Sequence, residues 1–176
     1  ADDTNRPERN TPAIKRVIIF SPHPDDDVIS MGGTFDRLVE QGHEVHVAYQ
    51  TSGNIAVSDK EAIKFAEICL ALNSDSKKSK ELISFLKKKT VRVVESKDVL
   101  KLKGLIRRSE SLAATRSLKL NDKNVYFLNL PFYETGKIKK NKLSEKDIFI
   151  MTKIIEDIKP HQIYAAGDLA DPHGTH

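Results

Sequence analysis

Val17-Ile18-Ile19-Phe20-Ser21-Pro22-His23-Pro24-Asp25-Asp26-Asp27 joins an apolar run to a histidine and three carboxylates. A short run of β-branched and aromatic residues reads as a buried strand. His23, Asp25, Asp26 and Asp27 then crowd the place where that strand should end. Like charges this close repel one another unless a cation or a proton is shared among them. A solvated acidic turn is the alternative, because Asp and Pro are ordinary turn residues. The crowding favours a divalent metal site with one carboxylate left over for proton transfer.

Outward from this stretch, strand and helix patterns alternate. The first strand is expected near 15–21, followed by a helix carrying Ile29, Met31, Phe35, Leu38 and Val39, with Gly42 as its stop. A second strand covers about 44–51, and Thr51-Ser52-Gly53-Asn54 forms a loop. Ser58 and Glu61 make a capping box that opens a helix to about Leu72. The pattern breaks over 73–78, a short helix is expected over 81–88, and a longer one lies within 99–120. Strand three spans 125–129 and ends at Leu130-Pro131. Ser144 caps a helix through Ile158, and strand four covers 162–166.

Such alternation predicts an α/β fold with a mostly parallel sheet and helices on both faces. Ligands of these sheets bind beyond the carboxyl ends of the strands. Segments 23–27, 51–54, 130–134 and 168–176 would then share one edge. Residues 1–14 read as a flexible arm or linker remnant, and 15–176 as one domain whose C-terminal part is missing.

The far end carries a second cluster, Asp168-Leu169-Ala170-Asp171-Pro172-His173-Gly174-Thr175-His176. His173 and His176 are three apart, as are His23 and Asp26, an offset that puts two side chains on one face of a helical turn. The other three of the six histidines, His43, His46 and His161, stand at strand and helix ends with no accompanying chemistry and read as structural.

Composition narrows the classes. At 176 residues, 39% hydrophobic and 31% charged, the chain is a soluble globular domain with room for a core. No apolar run approaches a membrane span. The single cysteine, Cys69, allows no disulfide framework, is expected buried in its helix, and points to a cytoplasmic address. Of the net +4, residues 77–108 hold twelve Lys/Arg against three Asp/Glu. Phe85 is the only aromatic there, so a solvated helical face is favoured over a nucleic-acid surface, with attraction of a phosphate near the site as a secondary reading. No G-x-G-x-x-G or P-loop follows strand one, and Gly32-Gly33 reads as permitting close helix–sheet packing. Ser21, Thr51 and Ser52 lie in no G-x-S-x-G, which disfavours a serine hydrolase.

Two neutral imidazoles and a carboxylate, with positions left for water, have the composition of a catalytic zinc site. Zinc lowers the pKa of its bound water to about 7. A spare carboxylate can then carry a proton to a leaving amine, and a protonated histidine can stabilise an oxyanion. That inventory, drawn from His23, one of Asp25–Asp27, His173 and His176, suits amide hydrolysis. Spacing alone leaves open which aspartate ligates.

Pro22-His23-Pro24-Asp25-Asp26-Asp27 resembles the A-H-P-D-D-E signature of the PIG-L/LmbE-like zinc N-acetylglucosamine deacetylases. Gly32-Gly33-Thr34, Gly42-His43-Glu44-Val45, Thr51-x-Gly53, Arg107-x-x-Glu110 and Pro172-His173-x-x-His176 fit the same family in order. The resemblance implies a Rossmann-like three-layer fold and zinc (with Fe2+ or another divalent metal as the alternative) held by His23, Asp26 and His176. It further implies Asp25 as general base, His173 as transition-state stabiliser and Arg107 as a contact to substrate hydroxyls. A surface ion pair with Glu110 is the competing role for Arg107. Asn54 and Glu134 are the other substrate-contact candidates.

Asp27 stands where the family has Glu, Thr175 where it has Asp, and Leu130-Pro131-Phe132 replaces L-P-D. Residues 55–105 form a longer connection than usual, one that could cover the site or recognise a partner. Leu128-Asn129-Leu130-Pro131-Phe132-Tyr133-Glu134-Thr135-Gly136 is similar to members found fused behind glucosamine-6-phosphate deaminase-like domains. The implied activity is removal of an N-acetyl group from an amino sugar or amino-sugar phosphate, linked to glucosamine 6-phosphate metabolism. The alternatives are a catalytically degraded sugar-binding or regulatory domain of such a fusion, and a non-haem Fe(II) enzyme.

Overall fold

The structure, a computed structural model, describes residues 12–90, 93, 95–135 and 139–167. Its elements run β1 (Arg16–Ser21), α1 (Asp26–Glu40), β2 (Glu44–Tyr49), α2 (Asp59–Leu72), α3 (Lys77–Lys88), α4 (Lys97–Ser117), β3 (Val125–Phe127), α5 (Glu145–Ile158) and β4 (Gln162–Ala165). The strands lie in the order β3-β2-β1-β4, and all three pairings are parallel. This is the expected doubly wound α/β sheet, with its reversal of strand order between β1 and β4.

Both faces of β1 are covered, which explains its unbroken apolar run. Val17 and Ile19 join Val45, Val47 and Tyr49 of β2 under Phe35 and Leu38 of α1. Ile18, Phe20 and Ala48 face the opposite way onto Ile154 and Ile158 of α5. Three layers result. The three histidines read as structural serve the strand ends. His43 Nδ1 accepts from the backbone N–H of Lys15, His161 Nδ1 accepts from that of Arg16, and the ring of His46 stacks on Tyr126.

Helix starts follow the caps read in the sequence. Ser58 Oγ accepts from the N–H of Glu61, and Ser144 forms a full capping box with Asp147. Asp147 is buried because it also accepts from the N–H of Phe132, which ties α5 to the segment after β3.

The long 55–105 connection forms its own small core, where Ala62, Leu86 and Val99 bring α2, α3 and α4 together. The basic block is therefore not wholly a solvated face. Lys103 is buried and reaches Asp59 at 2.7 Å and Glu95 at 2.6 Å, and Lys89 joins the same two carboxylates. The pairing satisfies a charge that burial alone would penalise heavily.

Two expectations fail. Cys69 is exposed although it shares a face with Ala62 and Ala66, because the cover over that face ends after Ala66 and the last turn of α2 runs beyond it. Gly32 and Gly33 do not mediate tight helix–sheet contact, since a Cβ on Gly33 would meet nothing within 4 Å. They follow a break in α1 at Met31, whose backbone is non-helical, and glycines are common beside such kinks. The break turns the first turn of α1 relative to the rest.

Candidate active site

β1 delivers its chain at Ser21 into a turn held from several sides. Thr51 Oγ1 donates to the carbonyl of Pro22 at 2.7 Å, and Ser111 Oγ of α4 donates to that of Pro24 at 2.8 Å. Gly53 lies against the same turn with φ +62°, and a Cβ there would stand 2.7 Å from Pro24 Cδ. A proline ring cannot swing aside. Gly53→Ala should cost about 3 kcal/mol from the left-handed backbone and the overlap together, and should displace the 23–25 turn. Chemical denaturation measures the first effect, and shifts of the backbone amide resonances of 23–25 measure the second.

The three consecutive aspartates have three different surroundings. Asp27 is 2% exposed, accepts from Tyr49 Oη at 2.8 Å, and its N–H donates to Ser21 Oγ at 3.0 Å. Burial pushes its carboxyl pKa up despite those bonds. Its contacts are those of a structural anchor beneath the turn.

Asp26 turns back on His23. Its Oδ2 accepts from the His23 backbone N–H at 2.8 Å and lies 3.1 Å from His23 Nδ1. The ring of His23 meets Tyr133 edge-on, with centroids 5.9 Å apart. Burial, then the charge of Glu134, pushes the Tyr133 phenol up to about 12, so it stays protonated at neutral pH.

Asp25 occupies the N-cap of α1, but its side chain makes no capping bond there. It goes instead to Arg107, whose Nη2 stands 2.7 Å from Oδ2. The other guanidinium nitrogen, Nη1, reaches Glu110 at 2.8 Å. Burial works against the Arg107 charge, but its bonds to Asp25 and Glu110 outweigh that and raise its pKa. Arg107 thus makes the expected pair with Glu110 and also holds the turn.

The other two substrate-contact candidates meet each other. Glu134 Oε2 accepts from Asn54 Nδ2 at 3.1 Å, and its Oε1 accepts from the N–H of Ser52 at 3.1 Å. Segments 23–27, 51–54 and 130–134 therefore converge at the carboxyl edge of the sheet. Asn54 is buried, yet among the described residues its Oδ1 has no partner, and neither does Nε of Arg107. The roles of Tyr49 and Ser111 were missed in the sequence, where neither stands in a motif. His173, Thr175 and His176 lie outside the described residues. Among the described residues, no third His, Cys, Asp or Glu completes a metal-holding group.

The profile described as PIG-L: GlcNAc-PI de-N-acetylase matches residues 18–176. The chain belongs to this family. It is 56% identical over 185 aligned residues to a glucosamine-6-phosphate deaminase-like protein of Bacteroides thetaiotaomicron, and that alignment covers all of this chain but 28% of the relative. A diacetylchitobiose deacetylase of Thermococcus kodakarensis is 32% identical over 74 residues, covering 42% of this chain and 27% of that protein. The chain thus spans under a third of the length of either relative. Among the described residues, no helix is long and apolar enough to cross a membrane.

Proposed function

We propose that this chain is a zinc-dependent hydrolase that removes the N-acetyl group from an amino sugar or amino-sugar phosphate. Membership of the de-N-acetylase family and the likeness to a diacetylchitobiose deacetylase support amide hydrolysis on amino sugars. The name of the Bacteroides relative, and its greater length, support a link to glucosamine 6-phosphate metabolism and a fused deaminase-like part. The lone cysteine supports a cytoplasmic address.

The observation that carries the reading is the separate surroundings of Asp25 and Asp26. His23 Nδ1 and Asp26 Oδ2, 3.1 Å apart, are spaced close to the ~3.3 Å between two corners of a tetrahedron with bonds of about 2.0–2.1 Å. The pair fits zinc, and His176 is the third ligand in this proposal. Bound there, the metal supplies a water of lowered pKa and polarises the acyl oxygen. Asp25, with Oδ2 fixed by Arg107 and Oδ1 without a hydrogen-bond partner among the described residues, takes the proton of the attacking water. It then returns that proton to the amide nitrogen as the C–N bond breaks, leaving acetate and a free amine. His173 stabilises the oxyanion, and Arg107, Asn54 and Glu134 hold substrate hydroxyls.

Acetate release from a panel of N-acetylated sugars and sugar phosphates tests the reading. At least one should be turned over, with activity lost to a chelator and restored by zinc. Zinc-loaded chain that releases acetate from none of them overturns it.

A further inference from the structure

A cavity of about 490 Å³ opens beside the turn, between α4 and the segments after β2 and β3. Its inner end is formed by Pro24, the residue between His23 and Asp25, together with Asn54 and Glu134. Its outer wall is the face of α4 that carries Lys97, Lys101 and Arg108. Offsets of four and seven put these three cations in one row along the helix.

The other cations of α4 are accounted for. Lys103 is bound to Asp59 and Glu95, Arg107 to Asp25 and Glu110, and Arg116 to Asp122. The three without an ion-pair partner among the described residues are the three that line this cavity. Arg108 is also held in place, with its guanidinium 4.2 Å over the ring of Phe127. At the inner end, Asn54 is 3% exposed and its Oδ1 lacks a donor among the described residues. A buried acceptor left unmet is costly unless something supplies the hydrogen bond, and a ligand hydroxyl would.

We infer that this cavity binds a phosphorylated sugar, with its hydroxyls toward Asn54 and Glu134 and its phosphate ester among Lys97, Lys101 and Arg108. The inference deepens the deacetylase reading by naming where a phosphate on the substrate is recognised, but phosphate binding itself does not require turnover. Free solvated lysines would attract any anion weakly. Lys97 and Lys101 are exposed and Arg108 is held over Phe127, so selectivity comes from a ligand that reaches both the cations and Asn54 and Glu134, with phosphate and sugar on one molecule.

Titration calorimetry of the full chain tests it with N-acetylglucosamine 6-phosphate, N-acetylglucosamine 1-phosphate, N-acetylglucosamine and inorganic phosphate as probes. One of the sugar phosphates should bind at least tenfold more tightly than the neutral sugar and than inorganic phosphate, and the preference should shrink as salt is added. Lys101→Gln should reduce that preference about tenfold, as expected for loss of one charge-assisted contact. Lys146→Gln, an equal charge change at an exposed site on α5, should leave it intact.

Sugar phosphates that bind no better than the neutral sugar overturn the inference. So does an equal loss in both variants, which would mean that only net charge is felt. If acetate is released from a neutral sugar while no phosphate preference exists, the subsite fails and the deacetylase reading stands. If a sugar phosphate binds through Lys101 and no N-acetyl sugar is turned over, the subsite stands and the deacetylase reading fails.

Discussion

Asp25→Asn is expected to lower the rate of acetate release by about 10³-fold while leaving zinc content and thermal stability close to those of the parent chain. A positioned general base typically contributes on the order of 10²–10⁴ to a rate. The substitution keeps the shape of the side chain and an oxygen that can still accept from Arg107 Nη2, now at 2.7 Å from Oδ2. What it removes is the ability to take a proton. The loss should therefore fall on kcat, with KM little changed. Asp27→Asn is the internal contrast. Its carboxyl is buried against Tyr49 and Ser21, so the change should cost about 1 kcal/mol of stability and spare the rate. Equal rate losses in both variants would remove the distinction between the two carboxylates.

Asp26→Ala should act on the metal. Asp26 and His23 come from one turn, and Oδ2 of Asp26 is fixed both by the His23 backbone N–H and by proximity to the ring nitrogen. Preorganised ligands of this kind avoid the cost of ordering them on binding. Deleting one should weaken zinc on the order of 10³-fold, and acetate release at limiting zinc should fall with it. Excess zinc should restore part of the activity, since Asp25 and Arg107 are untouched. An unaltered zinc affinity in Asp26→Ala would count against this ligand set.

Much of the architecture was legible because a parallel sheet imposes blunt patterns. Val17–Phe20 reads as continuous apolar because α1 and α5 bury both faces of β1. Ser58 and Ser144 announce helix starts because orphan N–H groups there need an acceptor. The convergence of three loops was legible for the same topological reason. The division of labour among Asp25, Asp26 and Asp27 was not, because it depends on where each side chain points at the start of a helix. Tyr49 and Arg107, 22 and 82 positions away from the aspartates they bind, set those directions. Helical periodicity also overstated burial at Cys69. A 3.6-residue repeat marks a face but not how far along the helix it stays covered, and in α2 the cover ends after Ala66. In the basic block, composition alone could not separate Lys103, buried between two carboxylates, from Lys101 two residues away on the cavity wall.

The central claim is that His23 and Asp26 help to hold a single zinc on which hydrolysis depends. Metal-free full chain titrated with zinc, with bound metal and acetate release followed in the same samples, tests this most directly. The account predicts one tight zinc per chain and acetate release that rises in proportion to it, reaching a plateau at one equivalent. Full acetate release by the metal-free chain, or a parent chain that retains no zinc, would contradict it.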